Sequence, residues 1–140
     1  MKLELLDFGA LAKDKWPKRA HDYDAGADVY IMQDVVIFPG ETENIPLGFG
    51  FKALPPLTMA VIKPRSSLAR AGLLCHETPI DSDYTGETHA QITNTTAEPY
   101  QFKADDRLGQ LVIQPVILAE FVAAGEVNRR GANGLGSTGK

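Results

Sequence analysis

Short apolar runs separated by turn residues make up most of the chain, and no long stretch keeps a helical period. KLELL (2–6), ADVYIM (27–32), VVIF (35–38), GFGFKAL (48–54), TMAVIKP (58–64), ETHAQITNT (87–95), PYQF (99–102) and LGQLVIQPVILAEF (108–121) each read as a strand. The breaks between them, such as PGETEN and Pro55-Pro56, hold residues that turn the chain or cannot donate to a ladder. Many short strands at this spacing predict an all-β sandwich or barrel. One helix is predicted, over SSLARAGL (66–73), with Ser66 able to cap its start and Gly72 to stop it. No repeat, linker or second domain interrupts the pattern.

Composition narrows the function classes. At 140 residues the chain can bury roughly 68–70% of its unfolded surface, enough for a core without staples. A net charge of −4 argues against non-specific nucleic-acid binding, which needs a basic surface, but leaves room for a small polyanion where a few cations converge. The single cysteine, Cys75, permits no internal disulfide, and His21, His76 and His89 stand at no metal-ligand spacing from it. The opening MKLELLDFGALAK lacks the layout of a signal peptide, and no apolar run reaches membrane-spanning length. A soluble, intracellular protein is expected.

Polar chemistry concentrates in four places. In KPRSSLARAG (63–72), Arg65, Ser66 and Ser67 open the predicted helix, an arrangement suited to an anion and only partly explained by helix capping. In TPIDSDYTGE (78–87), predicted as a β-hairpin, Asp81 and Asp83 precede Tyr84. A carboxylate held there can act as a general base on water, or the aspartates can simply stabilise the turn. In DDRLGQLV (105–112), Arg107 and Gln110 enter an otherwise buried strand. Arg107 pairs either structurally with Asp105 or Asp106, or with a substrate. The last stretch, RGANGLGSTGK (130–140), nearly spells a phosphate-binding P-loop in GLGSTGK, but that motif needs a hydroxyl residue and a helix after its lysine. It reads either as a frayed tail or as a glycine-rich segment whose N–H groups, hydroxyls, Arg130 and Lys140 grip an anion.

Together these segments carry a resemblance. DAGADVY (24–30), PRSSLARAGL (64–73), IDSDYTGE (80–87), DRLGQLV (106–112) and RGANGLGSTG (130–139) resemble, in order and spacing, the five motifs of the homotrimeric dUTPases. The resemblance implies a distorted jelly-roll or β-clip barrel over residues 1–129, one short helix after the second motif, and a glycine-rich C-terminal lid over 130–140. It implies a homotrimer with active sites at subunit interfaces, converting dUTP to dUMP and pyrophosphate with Mg2+ riding on the triphosphate. That reaction keeps uracil out of DNA and supplies dUMP for dTMP synthesis. A cytoplasmic location follows, in the host cytoplasm if the protein is phage-encoded.

The resemblance also assigns roles. Asp81 would activate the water that attacks the α-phosphorus, and Tyr84 would crowd the deoxyribose so that no 2′-hydroxyl fits. Arg65, Ser66, Ser67 and Gln110 would hold the phosphates, with Arg130, Gly136, Ser137 and Thr138 at their outer end. Asp28 would support the site. The uracil would be read by backbone around residues 75 to 80, beside Pro79, Ile80 and His89, with Leu135 closing over it where the family usually has phenylalanine. Thr78-Pro79 and Cys75 also depart from the family pattern, at the start of the hairpin and at a position where some bacterial members carry asparagine.

Two alternatives accompany this reading. The related dCTP deaminase, or a bifunctional deaminase-dUTPase, shares an R-S-S-x-A-R run, but deamination needs a glutamate where a gap-free count places Gln91. A regulatory protein-binding module on the same scaffold would be expected to lose Asp81 or the tail, and both are present.

Overall fold

The computed structural model describes residues 1–127; the expected lid over 130–140, with Arg130, Leu135, Gly136, Ser137 and Thr138, lies outside the described residues. Nine strands and one short helix follow in order: β1 (Leu5–Asp7), β2 (Ala27–Tyr30), β3 (Val35–Ile37), β4 (Thr42–Phe51), β5 (Thr58–Pro64), α1 (Ser66–Arg70), β6 (Leu73–His76), β7 (Glu87–Asn94), β8 (Tyr100–Phe102) and β9 (Arg107–Pro115). They form three antiparallel sheets, ordered β1-β4-β7-β6, β2-β9-β5 and β3-β8. The all-β, jelly-roll-like expectation holds.

Alternation builds the core along β2, β6 and β7, whereas β4 and β5 bury consecutive residues over 47–51 and 60–62. In β7, Thr88, Ala90, Ile92 and Asn94 turn inward while Glu87, His89, Gln91 and Thr93 turn outward. Phe49 and Phe51 on β4 meet edge to face, with centroids 5.8 Å apart, among Val29, Ile31, Leu47, Ile92 and Leu108. Buried Asn94 is fully satisfied. Its Nδ2 donates to the Ile37 carbonyl at 2.9 Å and to the Glu98 carbonyl at 2.7 Å, while its Oδ1 accepts from the Thr96 N–H and hydroxyl. One side chain thereby ties β3 to the turn after β7.

Several expected boundaries move. Strand β4 starts at Thr42, six residues before the expected GFGFKAL run, and passes through Pro46. Proline is tolerated because β1 covers only Phe49–Phe51, leaving Pro46 on an uncovered edge, and the register with β7 shifts between Pro46 and Gly50. Strand β6 was not expected, because its four residues follow a glycine that reads as the helix stop. Strand β9 ends at Pro115 instead of continuing to 121. The helix lies inside the second motif rather than after it, and Ser66 is its first helical residue, not its cap. Arg65 holds the N-cap position without a side-chain cap bond. Gly72, at φ +79°, does end the helix in the left-handed region that side chains avoid.

Residues 116–127 leave the sheets, and their apolar side chains stand in solvent: Ile117 is 93% exposed and Phe121 95%. No helix among the described residues is long and apolar enough to cross a membrane.

Candidate active site

TPIDSDYTGE is not itself a hairpin. It is the connection between β6 and β7, whose ladder runs from Leu73↔Asn94 to His76↔Gln91 and stops. Beyond that point Ile80 pairs with Ala60 of β5, exchanging N–H···O bonds of 2.8 and 3.1 Å, and the Ser82 carbonyl accepts from the Leu54 N–H at 3.0 Å. Asp81 is therefore held between two backbone anchors while its carboxylate stays exposed. The anchors fix the backbone that carries the carboxylate, so its reach into the cleft is set by the fold.

The gap between the parted strands opens into a cleft of about 270 Å3. It collects Pro79, Ile80, Asp81, Tyr84 and His89, five of the residues expected in the site, together with Asn44, Ile62, His76, Thr78, Glu87, Thr88 and Gln91. Tyr84 is 46% exposed and folds back so that its hydroxyl donates to the Glu87 carbonyl at 3.2 Å. This fold-back needs Gly86, since a Cβ there would run into the Tyr84 phenol. His89 Nδ1 lies 2.9 Å from the Glu87 carbonyl. Thr88, buried, carries a hydroxyl with no partner among the described residues.

A second set gathers at the end of the β2-β9-β5 sheet. Asp28 on β2, with its side chain 18% exposed, faces Arg65 Nε at 3.6 Å and Arg107 Nη1 at 3.4 Å. Gln110 on β9 sits in register with both Asp28 and Lys63, and its Nε2 donates to the Pro64 carbonyl at 3.2 Å. Arg65, Ser67 and Arg107 line a polar cavity of about 490 Å3 whose rim also carries Asp105 and Asp106. Each guanidinium has five N–H donors, so the contact with Asp28 fixes its direction and leaves donors for an anion. Gly26 makes this packing possible, because a Cβ there would overlap the Gln110 side chain. Ser66, exposed on α1, lines neither cavity.

The partner expected for Arg107 changes. Its partner is Asp28 and not Asp105 or Asp106; Asp105 faces Lys15 at 3.8 Å instead. Sequence separation hid this pair, since Asp28 and Arg107 meet only through the β2–β9 register. Cys75 does not line the cleft. It is buried and its thiol donates to the Ile62 carbonyl at 3.7 Å; burial first, and then the charge of Glu77, push its pKa up to about 11. Thr78 falls within the 75–80 stretch expected to read the base and Gln91 at the position compared with the deaminase glutamate; Asn44, on β4, was not expected, and only its register with Gln91 brings it to the cleft. The two cavities share no lining residue. Among the described residues, no group of three or more His, Cys, Asp or Glu side chains converges as a metal cage would require.

Known proteins resemble this chain along nearly its whole length. The dUTPase family model matches residues 12–139. The deoxyuridine 5′-triphosphate nucleotidohydrolase of Corynebacterium glutamicum is 44% identical over 130 residues, covering 89% of this chain and 87% of that protein. That of Nautilia profundicola is 38% identical across all of this chain and 99% of its own length. Among solved structures, the Staphylococcus bacteriophage 80alpha dUTPase bound to dUPNHPP superposes with a TM-score of 0.86 at 23% identity, covering 99% of both chains. A mutant dUTPase of Staphylococcus aureus phage phi11, described with a coordinated structural Mg(II) ion, gives 0.80 at 24% identity over 90% of this chain and 98% of that one. With a matching model across almost the entire sequence and relatives this similar at this coverage, the chain belongs to the dUTPase family, the enzymes that hydrolyse deoxyuridine 5′-triphosphate.

Proposed function

We propose that this chain hydrolyses dUTP to dUMP and pyrophosphate by attack of a water on the α-phosphorus, with Asp81 as general base. The observation that carries the reading is the exposed Asp81 carboxylate, anchored on both sides by the Ile80–Ala60 and Ser82–Leu54 contacts and facing the same cleft as Tyr84. Asp81 accepts a proton from the water as its oxygen bonds to the α-phosphorus. The bond to the oxygen bridging the α- and β-phosphorus breaks, and pyrophosphate leaves with that electron pair. Tyr84 covers the deoxyribose. The base enters the gap between the β6 and β7 sides, beside Pro79, Ile80 and His89, where unpaired backbone edges can read it.

Arg65, Ser66, Ser67 and Gln110 take the phosphates, and Asp28 holds Arg65 in place for them. Arg130, Leu135, Gly136, Ser137 and Thr138 close over the bound nucleotide from the segment 130–140, acting as a lid on the domain formed by residues 1–129. Mg2+, which keeps several waters and prefers substrate phosphates with one or two carboxylates over an all-protein cage, fits this donor set as a passenger on the triphosphate. Asp28, the carboxylate beside Arg65 and Gln110, is already shared by two guanidiniums. When bound, the ion neutralises phosphate charge and aligns the chain for in-line displacement.

Two separate cavities, one bearing Asp81 and one bearing Arg65 and Arg107 beside Asp105 and Asp106, support a homotrimer in which one subunit's cleft meets the next subunit's arginines. The exposed apolar side chains of residues 116–127 support the same assembly, since surface of that kind seeks a partner. We place the reaction in the cytoplasm, where it keeps uracil out of DNA and feeds dTMP synthesis. The test is pyrophosphate release with Mg2+ from dUTP, dCTP, dTTP and UTP offered separately, comparing the wild type with Asp81→Asn. The wild type should turn over dUTP selectively, and the variant should fold normally while losing at least about 100-fold in kcat. A variant with near-normal turnover would remove Asp81 from the mechanism.

A further inference from the structure

Gln91 is the last β7 residue paired with β6, so it stands at the inner end of the gap where the two strands part. It is exposed and lines the same cleft as Asp81 and Tyr84. Across the gap, the Thr78 hydroxyl donates to Gln91 Oε1 at 3.3 Å. With its oxygen engaged, the amide keeps its two N–H donors for another partner. Its register neighbours are Asn44 on β4 and His76 on β6, and the His76 ring is occupied with the Thr93 hydroxyl at 2.7 Å. The β7 side of the cleft therefore carries an amide whose oxygen is held by Thr78.

We propose that Gln91 distinguishes uracil from cytosine by donating an N–H to the carbonyl at pyrimidine C4, with Thr78 as the positioning residue that keeps the amide in that orientation. This rests on reading the cleft as the nucleoside site. Uracil places an acceptor at C4, whereas cytosine places an amino group there. Two donors then face each other and neither finds a partner, so the wrong base is rejected by an unmade bond and not by shape. A glutamine could answer cytosine by rotating its oxygen inward; the Thr78 hydroxyl opposes that rotation because it already holds the oxygen.

The experiment measures kcat/KM of the full chain for dUTP and dCTP separately, with products resolved by chromatography so that hydrolysis alone is counted. Gln91→Leu should narrow the preference for dUTP by about tenfold, mainly through KM, with kcat for dUTP nearly unchanged because Asp81 is untouched. Gln91→Glu exchanges the donor for an acceptor and should narrow it by about 100-fold. Thr78→Val should narrow it by about threefold, and Thr78→Ser should restore it. Should Gln91→Leu fail to fold, Gln91→Glu, nearly identical in shape, carries the test. An unchanged preference in Gln91→Glu would overturn the proposal. If the wild type hydrolysed no nucleotide, the proposed function itself would fall. Calorimetry with dUMP and dCMP on the same proteins would then decide Gln91 alone, a preference for dUMP that Gln91→Glu narrows supporting it and equal affinities or an unaltered preference overturning it.

Discussion

Gly86→Ala separates the role of Tyr84 from the stability of the fold. An added Cβ would lie 2.5 Å from the Tyr84 ring carbon that bears the hydroxyl and 3.0 Å from its neighbour, so ring and methyl cannot coexist. The ring, already 46% exposed, must swing outward, breaking the 3.2 Å bond from its hydroxyl to the Glu87 carbonyl. Losing one exposed neutral hydrogen bond costs about 0.5 kcal/mol. Gly86 is not in the positive-φ region, so replacing it by alanine returns about 0.4–1 kcal/mol by restricting the unfolded chain. The two nearly cancel, and the melting temperature should move by only a few degrees. Selectivity should change far more. With the ring displaced, a ribose 2′-hydroxyl finds room, and the ratio of kcat/KM for dUTP over UTP should fall by at least about tenfold. Tyr84→Phe keeps the ring but loses its tether, and should fall between the two. Thermal melts and paired kinetics on dUTP and UTP decide the matter. A Gly86→Ala enzyme with the wild-type ratio would refute the sugar-gate reasoning, and a loss of several kcal/mol in stability would refute the claim that the two terms nearly cancel.

Asn94→Ala strands the Ile37 carbonyl and the Thr96 N–H, while the Glu98 carbonyl keeps the Thr96 hydroxyl at 2.9 Å, so it should cost about 2 kcal/mol or more in chemical denaturation while leaving KM for dUTP unchanged in the folded fraction. Cys75 holds its proton more tightly when folded, its pKa rising from 9.0 to about 11. Its contribution to stability is therefore complete below pH 9 and is lost as pH rises through about 11. The melting temperature should fall more steeply over that range in wild type than in Cys75→Ala, and equal slopes would contradict this. The same shift predicts slow labelling of Cys75 by thiol reagents at pH 8 in the native state, with rapid labelling in denaturant.

Strand content was legible because short apolar runs are bounded by glycine, proline and other turn residues. What escaped was what depends on distant partners. Pro46 looks like a break until the short reach of β1 is known, and β6 is a four-residue strand that exists because β7 stands beside it. The site followed the same rule. Asp81, Tyr84, Pro79, Ile80 and His89 lie close in sequence and were found together, as were Arg65 and Ser67. The Asp28–Arg107 pair and the Thr78–Gln91 bond join residues 79 and 13 positions apart, and only strand register brings them into contact. Gly26 was visible as a motif residue, but its purpose, making room for Gln110, is visible only in three dimensions.

The separation of the two cavities has a genetic consequence. If each working site takes its cleft from one subunit and its cations from another, damage to one half need not be fatal in mixed assemblies. Chains lacking Asp81 and chains lacking Arg65 would each be dead alone. Combined in equal amounts and allowed to exchange, they would rebuild about a quarter of the sites, those drawing an intact half from each kind. By the same arithmetic, a chain lacking only Asp81 would silence one site of a mixed trimer, its own cleft, while still lending intact arginines to a neighbour's.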